Sequence, residues 1–294
     1  MLKRKNNKSI RVGIIGVGNC ASSLIQGVNY YKSLNDKCPS GIMIENIGGY
    51  FPTHIEFVLA FDVDERKVGK KLSTAVFSPP NCAREFYRDI KDNCIVKMGP
   101  ILDGIAPHMI NFHDEINFKP SRKKPVDVVE AIRNAHVDVL INYLPVGSQK
   151  ATEFYAQCAI DAKVPFMNCI PVFIASNPVW ENKFIKAGIP LIGHDMKSMF
   201  GASIMSQALQ ETLLNRGHDV LFHSQLNIGG NSDFANMVDQ NRLKSKKISK
   251  ENVISSQHLI RKIHVPKDSI FAGPSSFVPY LKDNKGKTSI TTEI

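Results

Sequence analysis

The sequence feature that most constrains the fold is a glycine turn near the N-terminus. Ile10 to Ile15 form a short, mostly β-branched run, and Gly16-x-Gly18-x-x-Ala21 follows it directly. The first glycine permits a tight turn, the second lets the backbone approach a diphosphate, and the small third residue allows a helix to pack closely on a strand. Because the pattern joins a strand to a helix-like stretch, it predicts a dinucleotide-binding unit rather than an ordinary glycine turn.

Helices and short apolar strands alternate through the first 200 residues. The predicted strands are 10–15, 55–61, 137–143, 165–169 and 189–193, and the predicted helices are 21–31, 65–72, 126–135, 149–162 and 178–187. Strands separated by helices in this way are typical of a parallel sheet with helices on both faces. The order predicts an α/β fold of the Rossmann type, with a doubly wound parallel sheet.

The pattern changes near residue 200. A longer amphipathic helix is predicted at 202–215, and a strand at 221–228 runs into a polar, glycine-containing turn. We therefore expect three parts, which are a basic arm at 1–9, a dinucleotide-binding domain at 10–200 and a second, α+β domain at 201–294. Two loop-like insertions, 33–54 and 73–124, interrupt the first domain.

Composition places the chain among soluble globular proteins. It has 294 residues, of which 43% are hydrophobic and 22% are charged, and no apolar run approaches the ~20 residues of a membrane-spanning helix. The six cysteines form no CxxC pair, which favours reduced thiols in the cytoplasm. The net charge of +10 does not form a chain-wide stripe, so we expect neither nucleic acid nor membrane as a partner.

An acidic residue at the end of the second strand can bind the adenosine ribose of a dinucleotide. Asp62 follows that strand, and the first insertion accounts for its long separation from Gly18. Asp64 is the rival candidate, although its position suits a cap for the helix predicted from residue 65. An acid rather than an arginine at this point favours NAD over NADP.

Two groups of lysines are candidates for binding an anion. Lys197 belongs to Asp195-Met-Lys197-Ser198, which follows a predicted strand at the sheet edge where doubly wound proteins bind ligands. Asp195 and Lys197 could equally form a surface ion pair and a helix cap. The other group is Lys244, Lys246, Lys247 and Lys250. Taken alone, this second group favours a solvated loop over a phosphate site.

Seven motifs, in order along the chain, carry a resemblance to a known family. They are VGIIGVGNCASS at 12–23, FDVD at 61–64, YLPVGS at 143–148, NCIPVFIAS at 168–176, DMKS at 195–198, NIGGNSD at 227–233 and SKKISK at 245–250. Together they resemble myo-inositol-1-phosphate synthase (inositol-3-phosphate synthase) in its shorter prokaryotic form. The resemblance runs nearly continuously from about Ile10 to Leu281, so it is far more specific than a single glycine loop.

This resemblance implies a cytoplasmic, NAD-dependent isomerase of inositol and phospholipid biosynthesis. The family converts glucose 6-phosphate into inositol 3-phosphate by oxidation, enolisation, intramolecular aldol closure and reduction, without net redox change. The resemblance also implies a homotetramer and a cation near the NAD diphosphate and Asp195. The alternative is an NAD-binding remnant or regulatory module without turnover. An ordinary sugar dehydrogenase on the same fold is a third hypothesis, but it does not explain why three lysine-bearing motifs occur in the order of the family.

The resemblance also assigns residues to the site. Those expected to hold NAD are Gly16, Gly18, Asn19, Cys20, Ala21, Ser22, Ser23, Asp62, Leu144, Pro145, Gly147, Asn168 and Asp195. Three lysines are expected to bind phosphate or stabilise oxyanions, namely Lys197, Lys246 and Lys250. Asn231 and Asp233 are expected to lie beside them in the catalytic site. Several cations are needed because each intermediate of the reaction carries negative charge on oxygen beside a phosphate.

The sequence departs from the family at three places. His194 stands where relatives usually carry a second Asp, Met199 stands where Gln or Gly is usual, and the chain stops at Ile294 although relatives continue with a further active-site lysine. A second domain truncated in this way is expected to weaken both the site and subunit assembly. We expect the chain alone to bind NAD through residues 10–200, to associate heterogeneously and to show little or no synthase turnover.

Overall fold

A computed structural model describes residues 9–34, 41–193, 195–196, 200–264, 268–279, 281 and 287–293. The helices among them are α1 (Asn19–Ser33), α2 (Leu72–Ala75), α3 (Val128–Asn134), α4 (Gln149–Ala162), α5 (Pro178–Ala187), α6 (Ala202–Asn215), α7 (Ser232–Asn236) and α8 (Gln240–Ile260). The strands are β1 (Ile10–Ile15), β2 (Ile55–Asp62), β3 (Val96–Met98), β4 (Val139–Asn142), β5 (Phe166–Asn168), β6 (Leu191–Ile192), β7 (Phe222–Gly229), β8 (Ile270–Phe277) and β9 (Lys287–Glu293).

Six parallel strands form the larger sheet, in the order β3-β2-β1-β4-β5-β6. The chain builds outward from β1 through β2 and β3, and then starts again with β4 on the other side of β1. The carboxyl ends of β1 and β4 therefore lie where the strand order reverses, which is where such sheets bind ligands. The Rossmann-type fold predicted from the sequence is confirmed.

Helices cover both faces of the larger sheet. Ile14 and Ile15 are neighbours in β1 and are both fully buried. Ile15 belongs to a core cluster with Leu140 and Phe166, whereas Ile14 belongs to a second cluster with Ile25 of α1. Because successive side chains of a strand point to opposite faces, these two clusters are the two faces of the sheet.

The segment 65–72, predicted as a helix, is a series of turns instead. Gly69 adopts a left-handed φ of +85°, and its N–H bonds the carbonyl of Val96 in β3 rather than a carbonyl one turn back. A left-handed residue that is tied to a neighbouring strand cannot continue a helix. The helix α2 therefore spans only four residues, and strand β3 lies inside the segment 73–124, where no strand was predicted.

A three-stranded sheet follows, in the order β8-β7-β9. β7 pairs parallel with β8 and antiparallel with β9, and α6 and α8 pack beside it. The lysine-rich segment 244–250, for which composition alone favoured a loop, lies within the 21-residue helix α8. Asp239 caps this helix, because its side chain accepts a bond from Asn241 N–H at 2.9 Å.

Candidate active site

The glycine loop joins β1 to α1. Gly16 has a φ of +84°, and a Cβ there would meet the carbonyl oxygen of Tyr143 at 2.8 Å, so the turn requires glycine. A Cβ on Gly18 would meet no atom within 4 Å, so the space beside this residue is open. Gly18 is the N-cap of α1, and open space at the start of a 15-residue helix favours an anion.

Asp62 ends β2 directly beside the glycine loop. Its Oδ2 accepts a bond from Val17 N–H at 2.8 Å, and its Oδ1 accepts bonds from the N–H groups of Val63 and Asp64. A carboxylate offers about four acceptor positions, so acceptor capacity remains for a ribose hydroxyl. The Asp62 side chain thus fixes the glycine loop, and its ribose role stays a prediction.

Asp64, the rival candidate, is fully buried and pairs with Arg66 at 2.6 Å. Burial favours its neutral form, but bonds from the Arg66 side chain and from Lys119 N–H outweigh burial and hold the pKa of Asp64 below its usual value. It caps no helix, contrary to expectation, because the residues that follow it form turns. A carboxylate enclosed in this way leaves Asp62 as the ribose candidate.

The first residues of α1 mostly hold the loop in place. Oδ1 of Asn19 accepts a bond from Cys82 N–H at 2.8 Å, which ties a distant segment to the start of the helix. Ala21 is buried against the sheet, and Ser22 is buried with its Oγ accepting a bond from Gln26. The exposed residues of this turn are Cys20 and Ser23.

The loop after β4 contains Leu144, Pro145 and Gly147, and it lies between the two sheets. Gly147 has a φ of +83°, and a Cβ there would meet Cβ of Arg242 in α8 at 2.6 Å. The carbonyl of Val146 accepts a bond at 2.8 Å from the side chain of Asn236 in α7. Helices α7 and α8, beside the second sheet, therefore hold the loop that the resemblance assigns to the cofactor.

Asn168 ends β5 and is buried. Its Nδ2 donates to the carbonyls of Ile170 and Val172, and its Oδ1 accepts a bond at 2.8 Å from Asn142 at the end of β4. Oδ1 of Asn142 in turn accepts a bond from Leu144 N–H. The side chain of Asn168 thus fixes the loops that follow two neighbouring strands.

Asp195 joins the carboxyl edge of the larger sheet to α8. Its Oδ1 accepts a bond from Nζ of Lys246 at 2.8 Å, and its Oδ2 accepts one from Oγ of Ser249 at 2.6 Å. Asp195 and Lys246 are both mostly buried, with 14% and 19% of their side chains exposed. Low exposure weakens screening by solvent, so this ion pair is electrostatically stronger than a surface pair.

Lys250 lies one turn further along α8. Burial, and then repulsion by Lys246, lowers the pKa of Lys250 to about 8, although Asp195 and Asp233 oppose the change. Burial raises the pKa of Asp233, which the charge of Lys246 partly offsets. The amine of Lys250 is therefore poised to gain or lose a proton near neutral pH.

A cavity of about 260 Å³ lies over these groups. The residues that line it include Asp195, Ser203, Lys246, Ser249 and Lys250. A larger cavity of about 380 Å³, beside Lys32 and the start of β2, contains none of the predicted site residues. The smaller cavity is therefore the candidate for the chemistry, because it brings together Asp195, Lys246 and Lys250, which the sequence predicts as site residues.

The glycine loop and the lysine cluster face the same cleft. Desolvation of the Cys20 thiol, and then the negative charge of Asp233, raises the pKa of Cys20, and the positive charge of Lys246 opposes this change. Asn231, at the start of α7, accepts bonds from the N–H groups of its own helix. Lys197 and His194 lie outside the described residues.

Four functional candidates were missed by the sequence analysis. They are Lys67 and Asn81 beneath the glycine loop, and Arg242 and Ser249 on α8. The spacing of Arg242, Lys246 and Lys250 at intervals of four would have placed them on one helical face if the segment had been predicted as a helix. Lys67 gave no signal, because its burial depends on the turns that surround it.

The described part of the chain contains no group of three or more His, Cys, Asp or Glu side chains that could hold a metal ion. Asp195, beside which the resemblance implies a cation, contacts the ammonium of Lys246 instead. Among the same residues, no helix has both the length and the apolar character needed to cross a membrane.

A parallel sheet in this order, with a charged cleft at its carboxyl edge, places the chain in the Rossmann-type α/β class. A family model described as myo-inositol-1-phosphate synthase matches residues 201–292. An inositol-3-phosphate synthase of Mycobacterium tuberculosis is 47% identical over 277 residues, which are 94% of this chain and 73% of that protein. The chain belongs to the myo-inositol-1-phosphate synthase family of enzymes.

Two solved structures share this fold. The crystal structure of Ari2 shares 31% sequence identity and superposes with a TM-score of 0.74, covering 97% of this chain and 76% of Ari2. A myo-inositol-1-phosphate synthase-related protein from Thermotoga maritima superposes with a TM-score of 0.73 over 97% of this chain and 78% of that protein. At 22% identity, this second structure supports the fold alone.

Proposed function

We propose that this chain is an NAD-dependent inositol-3-phosphate synthase that converts glucose 6-phosphate into 1D-myo-inositol 3-phosphate. The observation that carries the proposal is the cavity at the carboxyl edge of the sheet, where Lys250 and the Lys246–Asp195 pair lie together. The name of the Mycobacterium tuberculosis relative supports the same reaction. Such an arrangement suits a phosphorylated sugar that becomes more negative during reaction.

The residues of the glycine loop fit a dinucleotide. The open space at Gly18 accepts a diphosphate, Asp62 is placed for the adenosine ribose, and the loop after β4 is placed to line the cofactor. Bound there, NAD would supply reversible hydride transfer at C5 of the sugar, and the C5 ketone formed by the oxidation would make C6 acidic. The bond between Asn142 and Asn168 fixes the two loops that would line the cofactor.

Lys250 is our candidate for the proton transfers. Because its pKa is about 8, a substantial fraction of its amine is neutral at physiological pH and can take a proton from C6. The resulting enolate attacks the C1 aldehyde and forms the ring bond between C6 and C1. The ammonium of Lys250 then returns the proton to the new C1 oxyanion, so that no proton is gained or lost.

The other charged groups hold the substrate and its oxyanions. Lys246, held by Asp195, stabilises negative charge on oxygen, and Lys197 is assigned to phosphate or oxyanion through the resemblance. Asp233 opposes the charge of Lys250, and Asn231 fixes the start of α7 beside it. A compact ammonium group is suited to this role because it acts as a point charge.

Three further features are part of the proposal. The first is a cofactor domain at 10–200 joined to a catalytic domain at 201–294, and the second is assembly into a homo-oligomer, which the resemblance implies is a tetramer in the family. The third is a cation near the NAD diphosphate, a position for which the described residues offer no preformed set of His, Cys, Asp or Glu ligands.

The proposal is tested by removing the amine of Lys250. Lys250→Met should lower the rate of inositol phosphate formation by ~100-fold or more, because the base and the facing cation are lost together. Lys244→Met is the matched control, since Lys244 is exposed on the same helix. Calorimetry should show unchanged NAD binding in both variants, and a Lys250→Met variant with normal turnover would show that the assignment is wrong.

A further inference from the structure

Lys67 is a buried lysine beneath the glycine loop. Only 1% of the residue is exposed, and its Nζ donates to the carbonyl of Val17 and to Oδ1 of Asn81, both at 2.8 Å. Both acceptors are neutral, and the ion pairs found in the described part of the chain do not include Lys67. A buried ammonium without an ion-pair partner is uncommon, because its desolvation is compensated only by hydrogen bonds.

Lys67 and Asn81 together fix the peptide group between Val17 and Gly18 in the glycine loop. The N–H of Val17 donates to Asp62, and its carbonyl accepts bonds from both Lys67 and Asn81. The C=O and N–H of a trans peptide point in opposite directions. Because the Val17 carbonyl points inward to Lys67, the N–H of Gly18 points away from the interior, at the residue where the loop is open.

The charge of Lys67 is also incompletely balanced in the protein alone. Burial lowers the pKa of Lys67, and the negative charges of Asp62 and Asp64 oppose this effect only from a distance. Asp62 is itself held by three N–H groups, and Asp64 is paired with Arg66. A dianionic ligand on the loop above would supply the missing negative charge in a site that water screens weakly.

We propose that Lys67 is a positioning residue for the diphosphate of the dinucleotide. It orients the Gly18 amide toward the diphosphate and places a buried positive charge beneath it, without touching the ligand. The inference rests on the proposed function, because it takes NAD as the ligand of the glycine loop. It assigns to the turn segment 65–72 a part in cofactor binding that the glycine motif does not contain.

The test compares Lys67→Met with Lys70→Met by calorimetry. Lys70 is exposed in the same turn segment, so its substitution removes an equal charge without disturbing the loop. Lys67→Met should weaken the binding of NAD and of ADP-ribose at least about tenfold, a loss of 1.4 kcal/mol. The affinity for adenosine, which lacks the diphosphate, should change less than about twofold, and Lys70→Met should leave all three affinities unchanged.

Thermal unfolding of the ligand-free variants separates this role from a merely structural one. Lys67→Met should unfold close to the temperature of the unsubstituted chain, because the removal of a buried charge is opposed by the loss of the donor to Oδ1 of Asn81, while the Val17 carbonyl keeps its bond from Asn81. If this variant does not fold, Asn81→Leu takes its place, since it removes one of the two side-chain donors to the Val17 carbonyl and should weaken NAD binding several-fold.

Three outcomes would overturn the inference. They are normal NAD affinity in Lys67→Met, normal NAD affinity in the replacement variant Asn81→Leu, and equal losses for NAD and adenosine. In each of these cases the unsubstituted chain still binds NAD, so the proposed function stands. A chain that does not bind NAD before any substitution would contradict the proposed function and this inference together.

Discussion

The carboxylates of Asp62 and Asp64, both near the glycine loop, differ in their burial and in their hydrogen-bond partners. Asp64 is buried and bound by Arg66, whereas Asp62 accepts bonds from backbone N–H groups and borders the open loop. The sequence favoured Asp62 from its position after a strand but attributed Asp64 to a helix cap. The structure gives a different reason to set Asp64 aside, which is that its carboxylate is already enclosed.

The position of Asp62 leads to a prediction about cofactor selectivity. The chain should bind NAD more tightly than NADP, because the Asp62 carboxylate accepts from ribose hydroxyls and repels a 2′-phosphate. Asp62→Ala should narrow the ratio of the two affinities, and it should weaken both because Val17 N–H loses its acceptor. Calorimetry with both cofactors measures the ratio, and equal affinities in the unsubstituted chain would refute the assignment.

The pKa of Lys250 predicts how turnover depends on pH. The neutral amine is the form that accepts the C6 proton, so kcat/KM should rise with pH and level off above about 8. Lys250→Arg should remove this limb, because an arginine stays protonated throughout. A profile that is flat between pH 7 and 9 in the unsubstituted chain would exclude Lys250 as the base.

At the scale of elements, one face of α8 carries the site. Arg242, Lys246 and Lys250 recur every four residues, so neighbouring members of this row lie about 40° apart on the same side of the helix. Arg242 donates to the carbonyl of Asp103, and Lys246 and Lys250 line the cavity. Further along the helix, Ile254 and His258 are buried. Helix α8 therefore holds Lys246 and Lys250 in fixed positions at the cavity.

Arg242 should determine how firmly α8 is docked. Its guanidinium donates to the carbonyl of Asp103 at 2.8 Å and to Oγ of Ser148 at 3.3 Å. Arg242→Met should lower the free energy of unfolding by ~1–3 kcal/mol, because buried acceptors lose their donor. Urea denaturation measures the change. Lys244→Met serves as the control, and equal stability of both variants would contradict this role.

Two buried histidines should make the second sheet sensitive to acid. Burial lowers the pKa of His258. Burial, and then the charge of His258, lowers the pKa of His223. The unfolded chain then binds more protons than the folded one, so stability is retained above pH ~6.5 and falls as the pH drops below it.

The slope of that pH dependence is the measurable quantity. Each buried histidine should contribute up to ~1.4 kcal/mol per pH unit to the fall in unfolding free energy. His258→Gln should reduce the slope between pH 7 and 5, whereas His218→Gln should not, because His218 is exposed. Identical slopes for all three proteins would refute the prediction.

The elements also show what the sequence could and could not predict. Helices α4, α5 and α6 begin and end at the residues that their periodicity predicts. The segment 65–72 was misassigned because a bond to a neighbouring strand, which is not local, overrides its helical composition. Helix α8 was missed because its buried face is polar, so the apolar periodicity that identifies a helix is weak.

At the scale of the whole molecule, the site lies between the two sheets. The larger sheet supplies the glycine loop, Asp62 and Asp195, and the helices beside the smaller sheet supply Lys246 and Lys250. The sequence placed both groups in one site only through the family resemblance, because no local pattern relates residues 16 and 246. Their proximity depends on how α7 and α8 pack against the loop after β4.

The most direct test of the central claim follows deuterium through a single turnover. With the protein in excess over glucose 6-phosphate labelled with deuterium at C5, and with NAD present, mass spectrometry should detect inositol phosphate that retains the deuterium, without net NADH. Stoichiometric conditions reveal product even when steady-state turnover is weak. Accumulation of deuterated NADH without inositol phosphate, or recovery of unchanged glucose 6-phosphate alone, would contradict the claim that this cleft carries out the complete isomerisation.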